Sequence, residues 1–238
     1  VIVAERASYL PVSLLVSGQR VVVLGSHDEA ADKTRRALRA GARVVLIHPG
    51  PLHGTLEAAA RRGQLLWFAR RWRAEDFVAA RLVVLCEPEP EQTTQAEQLW
   101  RLRRRHGFLL NAIDKPEYCD VAQMAVSEAG PIQVSLSSSG QSPAILKRMR
   151  QSLDQALDDK FVNFARVIAD LRASMQTVGA VERRARLAEA LEGFEMHVRF
   201  RYPSWVESGG YEFEGRAHAE EGVPVSQRGM QGDGHEAS

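Results

Sequence analysis

The valine-rich run from Arg20 to Leu24 closes at Gly25 and is followed by a helical pattern from Asp28 to Ala40, by Gly41, and by a second apolar run from Val44 to Ile47. Strand, turn, helix and strand within about thirty residues is the pattern of a βαβ unit. Few folds accept such a unit, because its parallel strands need a crossover that covers one face of the sheet. The alternation continues with a helix through Leu56 to Arg62, a short strand at Leu65 to Phe68, a strand at Leu82 to Cys86 and a helix over Gln92 to Arg105. Phe108, Leu109 and Leu110 then read as the end of another buried strand. Residues 1–113 are therefore expected to form a doubly wound α/β domain.

The pattern changes after that point. Asp114, Lys115 and Pro116 read as the turn leaving the last strand, which puts Asp114 at a strand's carboxyl end, where open α/β sheets bind ligands. Apolar and polar residues alternate from Ile132 to Leu136, which suits a strand with one covered face. Ser142 and Pro143 make a helix start, with serine as cap and proline in the first turn. Residues 114–150 are thus expected to be a small strand and helix segment. Phe161, Phe164, Ile168, Leu171 and Met175 recur at helical spacing, as do Leu187, Leu191 and Phe194, giving a helical module over 151–215. That stripe reads as core or dimer surface. Residues 216–238 are poor in large apolar side chains and are expected to be a disordered tail.

A 238-residue chain that is 45% hydrophobic can bury a substantial core without disulfides. Cys86 and Cys119 have no metal-ligand or disulfide-framework spacing, so a cytoplasmic protein is expected. A formal net charge of +1 argues against a nucleic-acid partner, and the arginine clusters at 70–73 and 101–105 read as solvated faces. No apolar run reaches membrane-spanning length and no secretory leader is expected, although the first residue is Val rather than Met.

Two elements carry a resemblance. The first is Asn111, Asp114, Pro116 and Cys119; the second is the loop from Leu136 to Pro143, with Ser137, Ser138, Ser139 and Gly140 at its centre. Together with Tyr9-Leu10-Pro11 and Gly41, they make residues 9–194 similar to the N-terminal module of siroheme synthase, the precorrin-2 dehydrogenase and sirohydrochlorin ferrochelatase family. The resemblance implies a Rossmann-like domain, a homodimer built through roughly residues 119–150, and a tetrapyrrole substrate. It also implies that Asp114 is catalytic in metal insertion, as a base or transient metal ligand. Taken alone, Asp114 reads better as an aspartate capping its own turn, and it is the resemblance that favours the catalytic role. Iron or cobalt would be substrate rather than resident cofactor.

The same resemblance implies substrate contacts from Asn111 and from Ser137, Ser138, Ser139 and Gly140, where a loop at a helix start can offer amides and hydroxyls to carboxylates. Lys147, with Arg148 and Arg150, would add charge pairing. Ser139 stands where the family usually has glycine, which leaves the loop's backbone open.

The nucleotide site departs from the family pattern. Relatives carry three consecutive glycines, then an alanine and a lysine; here Gly25, Ala30 and Lys33 match, while Ser26 and His27 replace glycines. An imidazole at position 27 is expected to project where a diphosphate would lie, and Asp28 with Glu29 adds like charge. Ile47 and His48 end the second strand where an acidic residue would bind ribose, and Glu87-Pro88-Glu89-Pro90-Glu91 stands where a cofactor loop is expected. NAD is therefore doubtful, and Gly25, Ser26 and His27 form a degraded cofactor site. His27, His48 and His53 could converge as a metal site but read more simply as exposed loop histidines. Three functions follow: a chelatase with weakened or lost dehydrogenase activity, a noncatalytic tetrapyrrole carrier, or a full bifunctional enzyme.

Overall fold

A computed structural model of the chain describes residues 9–88 and 90–207. The expected tail at 216–238 lies outside the described residues. Strands β1 (Arg20–Leu24), β2 (Arg43–Ile47), β3 (Leu66–Phe68), β4 (Ala80–Leu85) and β5 (Leu109–Ala112) form one parallel sheet in the order β3-β2-β1-β4-β5. The helices α1 (Asp28–Arg39), α2 (Gly54–Arg61) and α3 (Glu91–His106) are its crossovers. Strand order reverses between β1 and β4, which places a ligand crevice at their carboxyl ends.

Both faces of the sheet are covered, so β1 reads as a continuous apolar run. Val22 and Leu24 pack with Phe77, Leu99 and Phe108 on one side, and Val21 and Val23 pack with Ala30 and Leu56 on the other. Each such buried side chain contributes roughly 1.5–3 kcal/mol relative to exposure. The helix α3 stops at Gly107, whose φ of 74° is the left-handed conformation favoured at a helix end.

Two further strands, β6 (Ala125–Ala129) and β7 (Ile132–Leu136), form an antiparallel hairpin. Gly130 takes φ 60° at the first position of its two-residue loop, and a Cβ there would stand 3.2 Å from Val162. The helix α4 (Pro143–Ala156) packs on β6. It is followed by α5 (Asp159–Ser174), capped by Asp158, whose carboxylate accepts from the Phe161 amide at 2.9 Å. Along α5 the expected stripe is half-buried at Phe161, Phe164, Ile168 and Leu171, and Met175 is buried. Next comes α6 (Ala180–Ala190). Residues 184–207 are the described part of a second compact unit, which contains the short α7 (Ser204–Glu207). Among the described residues no helix is long and apolar enough to cross a membrane.

Candidate active site

The strand β5 runs past the expected Leu110 to Ala112, so Asn111 is a buried strand residue. Its Nδ2 donates to the Val121 carbonyl at 2.8 Å, while Oδ1 is buried without a hydrogen bond. The chain then turns back on itself. Asp120 accepts from the Leu110 amide and from Arg103, and the Cys119 thiol lies within 3.3 Å of both backbone polar atoms of Ala112. Burial pushes the Cys119 thiol above its ordinary pKa, so it remains a protonated donor.

At the tip of this braced loop Asp114 adopts φ 58°, and its carboxylate is exposed. It makes no hydrogen bond or ion pair among the described residues, so it does not cap its own turn. An aspartate at positive φ is held in a sparsely populated conformation.

Asp114 lines a cleft of about 520 Å³ together with Asn111, Ser137, Ser138, Ser139 and Gly140. Lys147 is exposed on α4 and is not among the lining residues. Ser137 Oγ accepts from the Ser139 amide at 3.2 Å and Ser138 Oγ from the Ser142 amide at 3.0 Å. Ser142 is the N-cap residue of α4 as expected, but its side chain makes no capping bond, and Ser138 instead holds the Ser142 amide. Because both hydroxyls accept from backbone, their protons are free to donate outward. Ser139 and Gly140 have φ of 50° and 80°, which places a serine in a conformation that favours glycine.

Sequence reading did not place Tyr9, Glu29, Lys33 and Leu146 at this cleft, where they also lie. The spacing of Glu29 and Lys33 by one helical turn signals an ion pair but not its place at the cleft. The phenol of Tyr9 is raised by burial, then by Cys119 nearby.

At the first βα turn Gly25 has φ 113°, and a Cβ there would stand 2.2 Å from the Cys86 carbonyl oxygen. Only glycine permits β1 and β4 to approach so closely. The imidazole of His27 is exposed and stands at the N-terminus of α1. It turns back to cap α1, with Nδ1 accepting from the Glu29 amide at 3.2 Å. The Ser26 hydroxyl accepts from the His53 amide at 2.7 Å and donates to the Pro51 carbonyl at 3.3 Å. His53 pairs with Asp28 at 3.0 Å. Gly25, Ser26 and His27 line neither this cleft nor the next.

A second cleft, of about 710 Å³, lies beyond the ends of β2 and β4 and includes His48, Arg70, Trp72, Glu87, Glu91 and Gln95. Several of its polar groups have partners within the chain. Arg70 holds Asp76 through paired 2.7 Å bonds, Trp72 donates to Gln95 at 2.7 Å, and His48 Nδ1 stands 3.5 Å from Glu87. The basic stretch at 70–73 is therefore not a plain solvated face. His27, His48 and His53 have separate partners, and no group of three metal-ligating residues occurs among the described residues.

A family model described as "Putative NAD(P)-binding" matches residues 12–125. Siroheme synthase from Neisseria meningitidis serogroup C is 27% identical over 160 residues, covering 67% of this chain and 32% of that protein. Siroheme synthase from Pseudomonas putida is 28% identical over 170 residues, covering 71% of this chain and 36% of that protein. The chain thus spans about a third of the length of these relatives. The solved structure of SirC, a precorrin-2 dehydrogenase, superposes with a TM-score of 0.66 at 18% identity, covering 78% of this chain and 90% of that one. That likeness shows the shared fold.

Proposed function

The chain belongs to the siroheme synthase N-terminal module family, and we propose that it acts in siroheme or related modified-tetrapyrrole synthesis as a sirohydrochlorin chelatase-type enzyme whose NAD-dependent precorrin-2 dehydrogenase activity is weakened or lost. The observation that carries the chelatase reading is the unengaged Asp114 carboxylate, presented to a cleft that also holds outward-facing serine hydroxyls. Metal insertion requires the macrocycle to lose its inner pyrrole protons as the metal enters. A carboxylate over the ring can accept them, or bind the incoming ferrous or cobaltous ion briefly. Ser137 and Ser138 would donate hydrogen bonds to the carboxylates at the ring's edge and fix its orientation.

The residues at the first βα turn do not fit a dinucleotide. The amide of Glu29 would be needed for a phosphate but already donates to His27, and Ser26 ties the loop to the segment after β2. Asp28 adds negative charge beside the turn, and Glu87 lines the neighbouring cleft. No oxidation step is therefore assigned to this chain.

A homodimer is part of the same proposal. Ile132 on β7, Ile145 on α4 and Val167 on α5 are all exposed in the single chain, with Val167 at 63%. Light scattering at micromolar concentration should give twice the chain mass.

The deciding experiment is a paired titration with NAD and with sirohydrochlorin, followed by metal insertion read by absorbance. Tetrapyrrole binding with metal-dependent turnover and no NAD binding is expected. Tetrapyrrole binding without turnover would leave a carrier, and micromolar NAD binding would restore the bifunctional enzyme.

A further inference from the structure

We infer that Lys33 is a carboxylate-recognition group of the Asp114 cleft and that Glu29 is its resident counter-ion, displaced when a polycarboxylate macrocycle enters. The inference rests on the proposal that this cleft receives the tetrapyrrole, and it adds a specificity-determining pair on the Rossmann-like side of the cleft.

Three observations carry it. Lys33 lies on α1, yet its side chain is only 11% exposed, so its ammonium has little access to water and needs a hydrogen-bonding partner. Its partner is the Glu29 carboxylate at 2.8 Å, and Glu29 is 43% exposed, so water can receive that carboxylate if it swings away. Both residues line the cleft together with Asp114 and the serine loop.

The pair is separate from the other charges of α1. Asp32 holds Arg35 and Arg36, and none of these lines the cleft. The cations that line it are Lys33 and Lys115. Lys115 adjoins Asp114 in the braced loop, whereas Lys33 approaches from α1. The two could therefore hold carboxylates at different edges of one ring. A ligand carboxylate arriving at Lys33 exchanges one ion pair for another, while Glu29 regains hydration. Glu29 thus acts as a selectivity filter: a ligand without carboxylates cannot repay the loss of the internal pair.

This exchange predicts opposite effects from two neighbouring substitutions. The probe is uroporphyrin, an octacarboxylate macrocycle, titrated against the full chain by fluorescence quenching. Lys33→Met should weaken binding roughly tenfold, and Glu29→Gln, which removes the competitor, should tighten it roughly threefold. Lys33→Arg should stay close to the parent, and raised salt should shrink every difference. A thermal melt of each variant checks folding, and Glu29→Gln, at a partly exposed position, keeps the test open should Lys33→Met fail to fold.

If Lys33→Met and Glu29→Gln both bind like the parent while Ser138→Ala weakens binding, the inference is wrong and the cleft assignment stands. If the parent binds no uroporphyrin, or none of these variants alters binding, the cleft assignment itself falls and the inference falls with it.

Discussion

The Sγ of Cys119 lies 3.1 Å from the carbonyl oxygen and 3.3 Å from the amide nitrogen of Ala112, so one thiol ties the start of the Asp114 loop to its end. The Lys115 carbonyl is a further acceptor, 3.3 Å from the same sulfur. Asn111 and Asp120 add side-chain bonds across the loop, from Nδ2 to the Val121 carbonyl and from the Leu110 amide to the carboxylate. A non-glycine residue at φ 58° costs of order 1 kcal/mol or more and persists where its surroundings over-determine it. The brace supplies that determination, and it explains how an exposed carboxylate can be held still.

Removing the thiol should loosen the loop. Cys119→Ala is expected to lower unfolding stability by about 1–2 kcal/mol, because partly buried backbone groups lose their partner. Cys119→Ser should recover part of this, since a hydroxyl donates and accepts in the same directions from a shorter bond. Urea denaturation of the three proteins tests it; equal midpoints would show that the brace contributes nothing.

Asp114→Asn separates chemistry from folding. The carboxylate is exposed and makes no bond among the described residues, so stability should change by less than about 0.5 kcal/mol. Metal insertion into sirohydrochlorin should fall by roughly a hundredfold or more, the scale of losing a positioned base. A variant that keeps full turnover would remove Asp114 from the mechanism.

What the sequence could disclose follows from the range of each interaction. The βαβ pattern and the valine runs are local, and they placed all five strands of the sheet to within a few residues. The hairpin partner β6 was not legible, because Ala125–Ala129 carries alanine and serine where β-branched residues would mark a strand, and its burial at Ser127 and Ala129 comes from tertiary packing. At the site, Asp114 and the serine loop were readable as motifs on either side of the cleft. That α1 contributes Lys33 and Glu29 to it could not be read, since it depends on how the hairpin folds back toward the sheet. His27 shows the same limit: its type was plain, but its capping of α1 through Nδ1 is a rotamer choice.

Ser139 offers a test of local strain. At φ 50° beside a glycine at 80°, it occupies the left-handed region with a Cβ. Ser139→Gly removes that strain but frees the unfolded chain, and the balance should be a gain of about 0.5 kcal/mol. Thermal unfolding reads the sign, and a clear loss of stability would mean that the serine side chain contributes more than its backbone costs.

Asp76 sets an acid limit on the sheet domain. Its hydrogen bonds from Arg70, then the bond from the Arg73 amide, hold its carboxyl below the ordinary value despite burial. A depressed folded-state value means stability that is present above the unfolded value of 3.8 and lost as pH falls through the folded one. Asp76→Asn should therefore be less stable than the parent at neutral pH. The gap should begin to narrow as pH falls through 3.8 and close only below the depressed folded-state value, where the parent's folded carboxylate is protonated too. A gap that stays constant from pH 7 to pH 3 would show that the ionised form of Asp76 has no special role.

The dinucleotide site should be recoverable only in steps. Replacing Ser26 and His27 with glycine frees the Glu29 amide and the loop after β1, yet leaves Glu87 beside the second cleft. Glu87→Gln alone removes one repelling charge but leaves the amide occupied. On the proposal that each obstacle is sufficient by itself, NAD affinity should rise little in Ser26→Gly/His27→Gly or in Glu87→Gln. It should rise by more than the product of the separate gains in the combined variant, the non-additivity expected of groups sharing one site. Calorimetric titration of NAD into the four proteins tests the coupling. Simple additivity would mean that the turn and the glutamate act independently and that the amide held by His27 is not where the diphosphate is excluded.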